Sequence, residues 1–96
     1  MHEYELVYII PPTVEEEQVG GITEAITAYI QSLKGEVGEV KPWGRRRFAY
    51  PINHFREGNY VEVHFKLDPA ATRELDRGLR LNESVLRHLL VRKDAD

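Results

Sequence analysis

The chain is 96 residues long, 42% hydrophobic and 30% charged, which suits one soluble globular domain and excludes a disordered or collagen-like chain. It has no cysteine, so disulfides, thiol nucleophiles, cysteine zinc sites and iron–sulfur clusters are excluded, and a reducing cytosol is expected. The net charge of −3 hides an asymmetry: residues 1–40 hold eight acids against one base, and residues 41–93 hold twelve bases against six acids, so a polyanionic partner stays open.

Glu3 to Ile10 is rich in β-branched and aromatic residues and stops at Pro11 and Pro12, which predicts a first strand. Its even positions (Tyr4, Leu6, Tyr8, Ile10) are all large, and its odd positions turn apolar at Val7 and Ile9. A central strand, covered on one side and partly on the other, has this pattern. Leu6 to Ile10 is also the longest apolar run. It is far too short to span a bilayer, and no secretory pattern opens the chain, so no membrane partner is expected.

Thr13 and Glu16 have capping-box spacing, and Val19, Ile22, Ile26, Tyr29, Ile30 and Leu33 form a helical stripe, predicting a helix from about Val14 to Lys34 that Gly35 stops. Val37 and Val40 differ in parity, which puts a bulge or kink in the next strand before Pro42; Arg45 to Ile52 resumes it. A hairpin-type connection is expected over His54–Asn59. From Tyr60 the alternation is clear: Val61, Val63, Phe65 and Leu67 face one way, and Tyr60, Glu62, His64 and Lys66 the other. Asp68 and Pro69 read as a helix start, and Ala71, Leu75 and Leu79 give a short helix one apolar stripe. Val85 to Lys93 is a final strand whose faces the pattern leaves open.

The order β-α-β-β-α-β predicts an α+β, ferredoxin-like split β-α-β fold: a four-stranded antiparallel sheet in order 4-1-3-2 with both helices on one face. One domain over residues 1–96 is expected, with 93–96 as a short acidic tail.

Catalysis has no support in the residues. His2, His54, His64 and His88 are scattered, with no HExxH and no close His-x-His pair, so no metal or cofactor is expected. There is no phosphate-binding glycine loop and no nucleophile–base pattern, and helix N-terminal charge accounts for Glu15, Glu16 and Glu17. No small-molecule substrate is implied. The unusual cluster runs from Lys41 to Tyr50. In a strand, Arg45 and Arg47 share a face with Arg46 on the other; guanidinium groups bind phosphate, and Trp43 and Tyr50 offer aromatic platforms. A solvated basic edge strand that resists aggregation accounts for the same residues. Phe48 reads as core, and Trp43 as either a satellite-core residue or a partner anchor. Arg87, Arg92 and Lys93 form a second basic group beside the first strand, where they extend a binding face or pair with Glu3 and Glu5. Val7, Ile9, Leu89 and Val91 would form an apolar patch on the uncovered face, a common mark of a partner site.

Tyr4-Glu5-Leu6, the string from Trp43 through Gly44, Arg45, Arg46, Arg47, Phe48, Ala49, Tyr50 and Pro51 to Ile52, then Gly58-Asn59-Tyr60, and Leu81 through Asn82, Glu83, Ser84, Val85 and Leu86 to Arg87 resemble the bacterial small-subunit ribosomal protein S6 family over about Tyr4 to Lys93. The resemblance implies a non-catalytic, cytoplasmic ribosomal component that binds the central domain of the small-subunit rRNA cooperatively with ribosomal protein S18. Arg45, Arg46, Arg47, Tyr50 and Arg87 fall on recurrent family positions. The two alternatives are an RNA-recognition-motif-like single-strand binder and a small dimeric α+β-barrel enzyme using His64 or His88. Glu62 on the exposed side of strand three argues against the first.

Overall fold

Alternation decides which side of each strand is buried, and the helices cover that side. The computed structural model describes residues 1–94. The elements are β1 (His2–Ile10), α1 (Glu16–Ser32), β2 (Glu36–Ile52), β3 (Phe55–Leu67), a 3₁₀ turn (Pro69–Ala71), α2 (Thr72–Arg80) and β4 (Arg87–Arg92). The strands form one antiparallel sheet in the order β2-β3-β1-β4, the expected 4-1-3-2 read from the other edge. Tyr4, Leu6, Tyr8 and Ile10 of β1 and Val61, Val63, Phe65 and Leu67 of β3 are buried under Ile26 and Ile30 of α1 and Leu75 and Leu79 of α2. Each such side chain stabilises the fold by about 1.5–3 kcal/mol relative to its exposed state. Tyr8 keeps its hydroxyl satisfied by donating to Thr23 Oγ1 at 2.9 Å. Burial, only partly offset by that bond, pushes its pKa up to about 12.

The first helix differs from expectation at its start. The Val14 N–H donates to the Pro11 carbonyl at 3.1 Å, so Thr13 sits inside a tight turn and the capping box does not form. The helix begins at Glu16 with Glu15 as N-cap and no side-chain cap. Its end is a Schellman motif: Gly35 N–H donates to the Ile30 carbonyl at 3.0 Å and Lys34 N–H to the Gln31 carbonyl at 2.9 Å. The left-handed residue is Lys34 (φ 69°), not Gly35. Gly35 is required for closeness instead, since a Cβ there would lie 2.7 Å from Ile30 Cγ2 and 2.9 Å from its carbonyl oxygen. Asp68 caps a 3₁₀ turn, its Oδ1 accepting from Ala70 N–H at 2.9 Å, and α2 follows only at Thr72, with Ala71 as N-cap and no side-chain cap.

The β2–β3 hairpin is longer than the sequence pattern suggests. Its turn is Asn53-His54, not the stretch from His54 to Asn59. Ile52 pairs with Phe55, and both turn residues have positive φ (48° and 72°), as a two-residue type I′ connection needs. Asparagine and histidine tolerate that region better than most side chains. β2 runs unbroken in direction through the expected kink, absorbing register shifts between Val37 and Val40, Pro42 and Gly44, and Arg47 and Ile52. Gly44 takes φ 81° at the second of these. β1 ends at Ile10, opposite Asn59, so the hairpin from Arg46 and Gly58 outward projects beyond the end of β1.

At the chain's end, β4 spans Arg87–Arg92, and Leu86 N–H to the Ile9 carbonyl (2.7 Å) and Lys93 N–H to the Glu3 carbonyl (2.8 Å) extend its ladder with β1. Of the tail expected at 93–96, residues 95 and 96 lie outside the described residues.

Candidate functional site

Register assigns the uncovered face. Ile9 lies opposite Tyr60 on one side and Arg87 on the other; Val7 lies opposite Glu62 and Leu89; Glu5 lies opposite His64 and Val91. These residues alternate with the buried set, so they line the helix-free side of the sheet. The question left open for the last strand is settled: Arg87, Leu89 and Val91 face outward with Val7 and Ile9. Leu89 is 62% exposed and Val91 45%, an apolar patch that no helix covers.

Beside this patch the bulge between Pro42 and Gly44 turns Trp43 onto the same face. The Trp43 ring stacks on Tyr60 with centroids 5.6 Å apart and an interplanar angle of 5°. Phe48 meets Tyr60 edge-on at 6.1 Å. Phe48 is therefore only half-buried and belongs to the open face, not to the core, because the hairpin tip that carries it extends past β1 and the helices. Arg46 lies over Trp43, with Cζ 5.8 Å from the ring centroid, a cation–π contact that holds the guanidinium in place. Tyr50, Arg47, Arg87, Ile9, Phe48 and Tyr60 line a shallow depression where the hairpin leaves the sheet. Gly58 makes this approach possible. A Cβ there would stand 2.6 Å from Ile9 Cγ2, 2.9 Å from the Ile10 carbonyl oxygen and 3.1 Å from Phe48 Cζ.

Of the residues singled out from sequence, Trp43, Arg46, Tyr50 and Arg87 thus gather around one aromatic cluster, and Arg47, which keeps the parity of Arg45 because no register shift lies between them, borders the depression. Arg45 does not join them. Its Nε lies 3.8 Å from Glu16 Oε1 at the start of α1, on the side opposite Arg46. Arg92 pairs across the ladder with inward-facing Tyr4 and donates from Nε to Asp94 Oδ1 at 2.9 Å. Lys93 is at the far end of β4, six residues from Arg87 and so roughly 20 Å away along an extended strand, with Nζ 2.8 Å from His64 Nδ1. Ion pairs of Glu3 or Glu5 with Arg87, Arg92 or Lys93 are absent among the described residues. Tyr60 and Phe48 were missed as site residues, although Tyr60 has the outward parity that marks it; Ile9 lies in the outward apolar patch expected from the sequence.

Glu62 anchors the middle of the face. Its Oε1 accepts from Trp43 Nε1 at 3.1 Å, and its Oε2 is bonded to His64 Nε2. The His64 bond, more than the Trp43 bond and the nearby Lys41, holds its carboxyl below the usual carboxylate range against the opposing effect of burial. A charge fixed there repels phosphate at the centre of the sheet, where a recognition motif stacks its bases. His88 is turned inward, with Nε2 2.7 Å from Asp76 Oδ1 of α2. It clips helix to sheet and lines no part of the open face.

A helix-backed antiparallel sheet with an uncovered aromatic–arginine face is the architecture of a binding protein. The family model described as Ribosomal protein S6 matches residues 3–92. The small ribosomal subunit protein bS6 of Desulforamulus reducens is 43% identical over 93 residues, covering 97% of this chain and 98% of that protein. That of Carboxydothermus hydrogenoformans is 40% identical over 94 residues, covering 98% of each. The crystal structure of 30S ribosomal protein S6 from Thermotoga maritima superposes with a TM-score of 0.91 at 32% identity, covering 96% of this chain and 87% of that one. A CheA P2 domain in complex with CheY, also from Thermotoga maritima, matches with a TM-score of 0.65 at 13% identity, which shows a shared fold alone.

The chain belongs to the ribosomal protein S6 family. It is a structural, non-enzymatic component of the small subunit of the bacterial, cytoplasmic ribosome, and the α+β-barrel enzyme reading is set aside.

Proposed function

We propose that the protein binds the central domain of the small-subunit rRNA during assembly and does so cooperatively with ribosomal protein S18. The observation that carries this reading is the single outward patch in which Trp43, Tyr60 and Phe48, rimmed by Arg46, Arg47 and Arg87, adjoin exposed Leu89 and Val91. Tryptophan, tyrosine and arginine clustered around apolar surface are what protein interfaces use as anchors. Arginines at the rim suit phosphates, which position an RNA-binding protein without reading its sequence. The apolar centre takes the protein partner, and the arginines of the projecting hairpin reach the rRNA backbone.

Cooperativity follows from charge. Residues 1–40 carry eight acids against one base, so RNA is repelled except near the hairpin and β4, and a basic partner seated on the open face enlarges the attractive surface. The Arg46→Ala, Arg47→Ala double variant tests the hairpin's role, because both side chains are exposed and outside the core. Weakened assembly with an unchanged circular dichroism spectrum and melting temperature is expected. Unchanged assembly would remove these two arginines from the interface.

A further inference from the structure

A second cluster lies farther along the same face, and the rRNA reading does not use it. Glu5 of β1 is directly across the ladder from His64 of β3, and Glu62 precedes His64 by two residues on the same side. One ligand atom from each of the three lies within 4.8 Å of the others. Donors bound tetrahedrally to one zinc at about 2.0–2.2 Å are roughly 3.3–3.6 Å apart, so closing this set asks for side-chain shifts of up to about an ångström. The side chains of His64 and Glu62 are 19% and 12% exposed, which places an imidazole and a carboxylate in a partly dehydrated spot that favours a neutralising cation.

Three further features fit a ligand set. The Trp43 indole N–H holds Glu62 through Oε1 and leaves Oε2 directed at His64 Nε2, the kind of outer contact that orients a metal-binding carboxylate. A depression lined by Glu3, Glu36, His64 and Lys93 opens the Nδ1 side of the ring to solvent. At the other ring nitrogen, Lys93 Nζ is 2.8 Å from Nδ1. An ammonium only donates, so Nδ1 accepts and the ring proton sits on Nε2, facing Glu62.

We propose that Glu5, Glu62 and His64 form a binding site for a divalent cation of the zinc type, with the cation taking the place of the Nε2 proton between His64 and Glu62. Histidine with two carboxylates is a zinc-compatible set, and its fourth position is free for water. Binding moves the imidazole proton from Nε2 to Nδ1. The Lys93 ammonium opposes this shift, because it must give up its bond to Nδ1 and swing into solvent. Lys93 therefore acts as a built-in competitor of the metal. This gives the site a signature that a merely structural Glu–His–Lys network lacks: removing the lysine strengthens metal binding.

The test uses the whole protein, stripped with chelator, and the metal alone. Zn²⁺ and Co²⁺ are titrated in by calorimetry, and the fluorescence of Trp43, the chain's sole tryptophan, is followed in parallel because its indole N–H shares Glu62 with the metal. One-site binding is expected, with Co²⁺ quenching Trp43. His64→Asn and Glu62→Gln should each weaken affinity at least tenfold, in line with the loss of a ligand. Lys93→Met should raise it several-fold. Circular dichroism confirms that each variant is folded, and the His64 ring resonances in the wild-type protein report metal contact directly. No saturable binding, binding unchanged by His64→Asn, or a Lys93→Met variant that binds no better than wild type would overturn the proposal. Because no RNA or partner is present, either result leaves the rRNA reading standing.

Discussion

Gly58→Ala is the sharpest probe of how the hairpin is joined to the sheet. The added methyl would sit 2.6 Å from Ile9 Cγ2 and 2.9 Å from the Ile10 carbonyl oxygen, whereas carbon atoms in favourable contact are about 3.5–4.0 Å apart. The Ile9 side chain could turn away by itself, but the Ile10 carbonyl belongs to the backbone of a central strand that is bonded on both sides. The strain therefore falls on the hairpin, which must lift away from β1. Overpacking of this kind costs typically 1–3 kcal/mol, and the backbone contact argues for the upper end, about 3 kcal/mol. For a domain of this size, such a loss lowers Tm by about 12–24 °C, at roughly 4–8 °C per kcal/mol.

Urea denaturation followed by circular dichroism measures the free energy, and amide spectra of the native variant locate the displacement at Phe48, Tyr50 and Arg87. The displacement should also weaken partner binding, since Phe48 lies 3.1 Å from the added atom. A Tm within two or three degrees of wild type would refute the argument. It would mean that the hairpin is free to move relative to β1 at little cost.

Gly20 and Gly21 provide the contrasting case, because a Cβ at either position meets nothing within 4 Å; the paired alanine variant should be more stable by about 1–2 kcal/mol through helix propensity, read as a higher urea midpoint. Tyr8 should resist ionisation until about pH 12. The unfolded chain loses that proton from about pH 10, so this group's share of stability is full below pH 10 and is lost as the pH rises from there to about 12. Ultraviolet phenolate titration of wild type against Tyr8→Phe checks it, and a Tyr8 that titrates near 10 in the folded protein contradicts its burial.

The β3 alternation read true in the sequence because one face is fully dry: a one-residue slip would carry Val61, Val63, Phe65 and Leu67 into water. The same alternation on β1, the mismatch at Val37 and Val40, and the topology followed for the same reason. Local signals proved weaker where two motifs competed for the same residues. Thr13 had the spacing of a cap, but the turn from Pro11 to Val14 used it first. Gly58 looked like a turn residue, yet it works by closeness, while Asn53-His54 supplies the positive φ values.

The open aromatic–arginine face was only half visible from sequence. Trp43 and the arginines stood out by composition, but their division between faces depends on register shifts in β2 that no pattern displays. Phe48 was hidden because an aromatic residue in a strand usually belongs to the core, and Tyr60, though outward by parity, meets Trp43 only through the register shift between Pro42 and Gly44. The juxtaposition of Glu5 with His64 had no sequence signal at all, since the two are 59 positions apart and meet only through the β1–β3 register.

The proposed assembly role rests on cooperative binding, and a reconstitution measures it. A central-domain rRNA fragment is titrated with the protein, with and without purified S18, across a salt series. Tight binding only in the presence of S18 is predicted, with a log–log salt slope of about 0.7–0.9 per phosphate contacted. Equal binding to the fragment and to unrelated single-stranded RNA without S18, or no binding in either condition, would contradict it.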